Sequence, residues 1–149
     1  MIEYFVGFPH DHQDQLEALL KAYWSEADER SEALAVDIDL EGYKKLEEVG
    51  YLKVIYAMEG DQLVGLIAAI ISTCMHTGRE KSVVEVVYVG PAHRGAGIAD
   101  TMIFTLEDVL RQEGVPVNFF TLKKDLPHDN LVEDLEYRHV ENIYMKVIG

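Results

Sequence analysis

The chain has 149 residues, with 27 acidic against 13 basic side chains and a formal net charge of −14. This length suits one domain, 1–149, able to bury ~70% of its unfolded surface, so neither a disulfide nor a structural metal is required. The charge opposes binding to nucleic acid through phosphate neutralisation, and a single cysteine, Cys74, excludes an intramolecular disulfide.

The opening residues Met1 to Phe8 carry no basic region and no signal-length apolar stretch. The longest apolar run, Leu66 to Ile71, is too short to span a bilayer. A cytoplasmic location is expected, with neither membrane nor nucleic acid as partner. Ile2 to Phe8 reads as a first strand. His10-Asp11-His12 alternates like a metal site, but no third ligand accompanies the pair, so capping and solvation are the expected roles and no metal is expected. Asp11 to Glu29 reads as an amphipathic helix, with Leu16, Leu19, Leu20, Tyr23 and Trp24 on one face. Leu40 to Val49 is a second, shorter helix.

Leu52 to Met58 and Gln62 to Cys74 flank the turn Glu59-Gly60-Asp61 as two strands. His76 to Glu80 is another turn, and Lys81 to Val89 is the next strand. Connections this short make the three strands consecutive and antiparallel.

The strand then meets Gly90-Pro91, a turn carrying Arg94, Gly95 and Gly97, and a helix over Ala96 to Gln112. A strand, a glycine turn and a helix start in this order aim free backbone N–H groups at one spot, with the positive end of the helix dipole behind them. A phosphate suits that spot. Gly95 and Gly97 admit positive φ and leave the amides uncovered. Arg94 adds a charge suited to phosphate, and His93 either serves the turn or touches the anion. No Lys-Ser/Thr follows the glycines, so this is not a P-loop. Asp100 stands where a dinucleotide fingerprint needs its third glycine.

Gly114 closes the helix before Val115-Pro116. Val117 to Leu122 is the next strand, and Lys123 and Lys124 after it could reach a phosphate or stay solvated. Leu126 to Asn130 is a loop, Leu131, Val132 and Leu135 suggest a short helix, and Asn142 to Ile148 alternates like a final strand. The fold class is therefore mixed α/β (α+β), with a mostly antiparallel sheet flanked by helices and a parallel pair where the long helix crosses over.

Arg94-x-x-Gly97-x-Ala99 resembles the pyrophosphate motif Gln/Arg-x-x-Gly-x-Gly/Ala of the GNAT superfamily, the acetyl-CoA-dependent N-acetyltransferases. Val87-Tyr88-Val89-x-Pro91-x-x-Arg94-Gly95 is similar to that family's fourth strand and its exit. The resemblance implies a GNAT-like fold with splayed fourth and fifth strands and acetyl-CoA as co-substrate. It implies pantetheine along Val87, Tyr88 and Val89, and the diphosphate on Arg94, Gly95, Ala96, Gly97, Ile98 and Ala99. It makes the first two helices a wall of the acceptor site, with Tyr23, Trp24, Asp28, Glu29 and Glu32 as candidate contacts. A small amine, cationic in keeping with the acidic surface, would be acetylated by direct attack in a ternary complex. Polyamines, aminoglycosides and lysine-bearing peptides all fit that charge, and homodimers are common in the family.

Glu85 is the single charged residue between Val83 and Val89, and an acid in an apolar strand demands a reason. Some members of the family use a carboxylate there as a base through water. Strict alternation sets Glu85 on the side of Val87 and Val89, opposite Val86 and Tyr88. The family often ends in Tyr-x-x-Leu-Gly-Phe/Tyr, whose first tyrosine protonates the departing sulfur. Here Val132 takes that tyrosine's place and Glu136 the glycine's. Tyr137, Tyr88 or water are the substitutes. The same departure supports the alternative of a non-catalytic acyl-CoA-binding or regulatory module with this fold.

Overall fold

The computed structural model describes residues 1–27, 37–122 and 131–149, and of Ala27 and Leu131 the backbone alone. Asp28, Glu29, Glu32, Lys123, Lys124 and the loop from Leu126 to Asn130 lie outside the described residues. The elements run β1 (Ile2–Val6), a 3-10 turn (His10–His12), α1 (Gln13–Ala27), α2 (Leu40–Glu48), β2 (Leu52–Glu59), β3 (Gln62–Thr73) and β4 (Glu80–Val89). A second 3-10 turn (Pro91–His93), α3 (Ile98–Gln112), β5 (Asn118–Phe120) and α4 (Leu131–Asp134) follow.

The sheet order is β1-β2-β3-β4-β5, antiparallel throughout except for the parallel β4–β5 pair. Short turns allow only antiparallel neighbours, whereas α3 carries the chain back across the sheet and sets β5 parallel to β4. Each face of the sheet has its own core. Ile55, Ile67, Val84, Val87 and Val89 pack under Met102, Ile103 and Leu106 of α3. Leu52, Leu66, Val86 and Tyr88 pack under Leu16, Leu20 and Tyr23 of α1. Gly65 on β3 lets α3 approach closely, because a Cβ there would stand 3.2 Å from Met102 Cε. Gln15 ties α1 to the β2–β3 turn by donating to the Asp61 carbonyl at 2.8 Å and accepting from the Leu63 amide at 2.8 Å.

One irregularity positions the chemistry. Ala68 pairs with Val86, but the next residue, Ala69, pairs with Val84, so Glu85 is the extra residue of a β-bulge. The slip re-phases the strand, leaving Val84, Val87 and Val89 on the α3 face and Val86 and Tyr88 on the α1 face. The strict alternation expected for Glu85 therefore fails: its side chain lines a pocket beside Val86, away from Val87 and Val89.

Two further expectations change. The strand expected over Val117 to Leu122 is confined to Asn118–Phe120; the Thr121 amide makes the last ladder bond, to the Val84 carbonyl at 3.2 Å, and the Thr121 hydroxyl donates to the same carbonyl at 2.9 Å. The strand expected over Asn142 to Ile148 does not form. Alternation supplies an apolar face, but among the described residues no strand pairs with this segment, and Ile143, Tyr144 and Ile148 are exposed. No helix among the described residues is long and apolar enough to cross a membrane.

Candidate active site

The turn after β4 is built to leave amides open. The His93 amide closes the 3-10 turn on the Gly90 carbonyl at 2.9 Å. Gly95 follows with φ +86°, and Gly97, at φ +77°, forms the N-cap of α3 with no side-chain cap. These left-handed conformations strain any residue with a Cβ. The first amide to find an acceptor is that of Thr101, which donates to the Gly97 carbonyl at 3.1 Å. Among the described residues nothing accepts from the six amides of Gly95 to Asp100. They line the positive end of a 15-residue helix.

Arg94 does not extend over these amides. Its Nε donates to the Val89 carbonyl at 2.9 Å, and its two Nη atoms grip both carboxylate oxygens of Glu26 on α1 at 2.9 and 3.0 Å. The guanidinium stands over the Tyr88 ring, 5.3 Å from its centre. The Tyr88 hydroxyl donates to the same Glu26 carboxylate at 2.5 Å, and burial, then Glu26, pushes its pKa up to about 12. Tyr88 thus belongs to an α1-facing cluster with its ring edge-on to Tyr23, the centroids 5.8 Å apart. His93 pairs with Glu59 at the end of β2, at 3.2 Å.

Beside the turn, β4 presents an open edge. The Gly90 amide reaches the Val64 carbonyl on β3 at 2.9 Å, so by alternation Val87 and Val89 direct their main-chain groups away from β3. On that side β5 pairs only with Ser82, Val83 and Val84. Arg94 takes the Val89 carbonyl, which leaves both main-chain groups of Val87 and the Val89 amide on an edge that β5 does not cover.

On the α1 face a cavity of about 370 Å³ lies between α1, α2 and the sheet. Leu20, Leu52, Ala68, Ile70 and Val86 form its floor and sides, with the rings of Tyr23, Trp24 and Tyr43. Among the described residues Glu85 and Asp39 are its two charged ones. The Tyr23 hydroxyl donates to the Glu85 main-chain carbonyl at 3.2 Å. Burial raises the Tyr43 pKa above the ordinary phenol value, and the charge of Glu85 adds to the effect. Asp39 caps α2 by accepting the Gly42 amide at 2.9 Å.

Tyr137 lies elsewhere. It packs against the α3-side core, edge-on to Phe120. Its hydroxyl donates to Glu107 on α3 at 2.7 Å and accepts from Asn118 on β5 at 3.0 Å. Burial first, and the bond to Glu107 second, drive its pKa well above the phenol range. The structure thus gathers Tyr23, Trp24 and Glu85 around one cavity and leaves Tyr137 on the opposite face. Sequence reasoning missed Glu26, Tyr43 and Glu107. Glu26 and Glu107 each look like one more solvated helix carboxylate, and Tyr43 follows no pattern that marks it.

Residues 14–133 match the family model described as acetyltransferase (GNAT) family. No curated protein matches the chain. Among solved structures, it is similar to an aminoglycoside acetyltransferase from an uncultured soil metagenomic sample, with 19% identity, a TM-score of 0.79 and 100% and 99% of the two chains covered. A predicted acetyltransferase with acetyl-CoA from Clostridium acetobutylicum aligns at 16% identity and a TM-score of 0.73, covering 99% of this chain and 96% of that one. A transcriptional regulator from Bacillus halodurans aligns at 15% identity and a TM-score of 0.79, covering 99% and 100%. At these identities the likeness concerns the fold.

Proposed function

The chain belongs to the acetyltransferase (GNAT) family, and on that premise we propose that it moves an acetyl group from acetyl-CoA to the nitrogen of a small amine by direct attack in a ternary complex. The observation that carries this reading is the bulge at Glu85. It turns one carboxylate into a cavity on the α1 face, while Val87, two residues on, keeps its main-chain groups on the uncovered edge.

The residues fit the carrier. The open amides of Gly95 to Asp100 would hold the diphosphate, and the free edge at Val87 and Val89 would pair with pantetheine as an added strand does. When bound, acetyl-CoA supplies an electrophilic carbonyl carbon on a thioester. A main-chain N–H on that edge would polarise the acetyl oxygen. Glu85 takes a proton from the incoming ammonium, directly or through one water, and frees the nitrogen lone pair. The C–N bond forms, the C–S bond breaks, and the second proton shed by the nitrogen reaches the departing sulfur through water, so that CoA leaves as the thiol. Tyr137 is a poor donor for that step because its hydrogen is already given to Glu107.

The test is thermal stabilisation by acetyl-CoA with ATP and NAD as controls, followed by CoA-thiol release in the presence of amines. Stabilisation by acetyl-CoA alone among the three, together with amine-dependent thiol release, is expected. No shift at millimolar acetyl-CoA defeats the reading. A second reading, a non-catalytic acyl-CoA-binding or regulatory module, draws on Val132 standing where the family's proton-donating tyrosine would be. It predicts the same stabilisation with no thiol release for any amine.

A further inference from the structure

Building on the acetyltransferase reading, we propose that the acceptor is a primary monoamine on an apolar body, aliphatic or aromatic, rather than a polyamine or an amino sugar. The wall of the acceptor cavity makes this distinction. At about 370 Å³ the cavity is at the small end of ligand sites. Apart from the Glu85 and Asp39 carboxylates and Gly42, the described lining is aliphatic and aromatic. Among the described residues no Lys, Arg or His contributes, so there an acceptor bearing a carboxylate or phosphate meets only like charge.

The two carboxylates are not equivalent. Asp39 is engaged in capping α2 through the Gly42 amide. Glu85 projects from the bulge and is exposed where it borders the cavity. One ammonium at Glu85 is therefore matched by one carboxylate, beside the strand edge at Val87 where transfer would occur. The rest of the molecule must then lie against Leu20, Leu52, Ala68, Ile70 and the Trp24 ring. An alkyl chain or aromatic ring gains from that burial. A second ammonium would find only the Asp39 carboxylate, already held by the Gly42 amide, and a ring of hydroxyls would exchange most of its water for apolar wall. The net charge of −14 draws any cation to the surface and so does not discriminate among them; the wall does.

Trp24 is the only tryptophan and lines the cavity, so its fluorescence reports occupancy without any turnover. Hexylamine, spermidine and kanamycin are titrated into the free protein, and kcat/KM is then measured for each at saturating acetyl-CoA. Hexylamine is expected to change Trp24 emission saturably. Its kcat/KM should exceed the other two by about tenfold or more, the low end of what one methylene is worth in an apolar pocket. Leu46→Asp, at an exposed rim position, should move the ratio of kcat/KM values toward spermidine, a ratio in which the folded fraction cancels. Emission unmoved by hexylamine, or spermidine or kanamycin equal to it or better, overturns the proposal. Should acetyl-CoA neither stabilise the protein nor be consumed with any amine, the acetyltransferase reading fails instead, and the emission of the free protein still decides what the cavity prefers.

Discussion

The Tyr23 hydroxyl donates to the main-chain carbonyl of Glu85 at 3.2 Å, at the one residue where β4 slips against β3. A bulge disrupts its ladder locally, and a buried tyrosine from α1 supplies a donor there. The bond also couples the acceptor wall to the strand that carries the carboxylate. Tyr23→Phe should cost about 1 kcal/mol of stability, the usual net worth of such a bond. It should lower kcat while leaving the KM for acetyl-CoA nearly unchanged. Urea unfolding and steady-state kinetics check the two halves separately.

Glu85→Gln keeps the size of the side chain and removes the base. Turnover should fall by roughly 10² or more, the usual contribution of general base catalysis. Acetyl-CoA affinity, measured by calorimetry, should hardly change, because the amides that would bind it lie beyond Pro91. Unchanged turnover would mean that another group accepts the ammonium proton.

Arg94 and Glu26 form a two-pronged ion pair with both side chains about one-third exposed, at 32% and 33%. Such a pair is worth ~1 kcal/mol or less to stability. It matters more as a competitor, since a diphosphate on the neighbouring amides would draw on the same guanidinium. Glu26→Gln should therefore tighten acetyl-CoA binding and steepen its loss with added salt. Calorimetry at two ionic strengths tests this. An unchanged or weaker affinity would show that Arg94 serves only to hold α1 against β4.

The sequence disclosed what local rules control. The β2–β3 hairpin, the strand-turn-helix at residues 83–99 and the amphipathic α1 and α3 follow from turn residues and apolar spacing within a few positions of each other. The bulge at Glu85 could not be foreseen in that way. It arises from the register between β3 and β4, which depends on how two valine- and alanine-rich strands pair across the sheet. The partners of Arg94 and Tyr137 were hidden for a similar reason, since Glu26 and Glu107 lie 68 and 30 residues away in sequence. The alternating tail misled because period-two spacing marks a surface that can pair but does not create the partner.

Tyr88 and Tyr137 hold their protons beyond the ordinary phenol range, both raised by burial and by a carboxylate acceptor. A raised folded-state value means that their stabilisation is complete below the ordinary phenol pKa of ~10. It is lost as the pH climbs through about 12, the value for Tyr88. Ultraviolet titration should show a late-ionising fraction, and Tm should drop over the same interval. Tyr137→Phe should shrink that fraction and lower Tm, with kcat almost unaffected, because its hydroxyl is bound to Glu107. A large kcat loss without a change in stability would return the proton-donor role to Tyr137.

Glu136 is the one non-glycine residue with positive φ among the described residues, at +69°, and it occupies the place of the family's glycine. The left-handed turn here is therefore made by a residue that takes it under strain. Left-handed geometry costs an ordinary L-residue about 1–2 kcal/mol. Returning glycine relieves that strain but gives the unfolded chain more freedom, which offsets part of the gain. Glu136→Gly should therefore raise stability by roughly 0.5–1 kcal/mol, readable as a higher urea midpoint with an unchanged m-value. The neighbouring Tyr137 should keep its late titration, since the backbone that carries it does not move. A lower midpoint would mean that the Glu136 side chain makes a contact worth more than the strain it imposes.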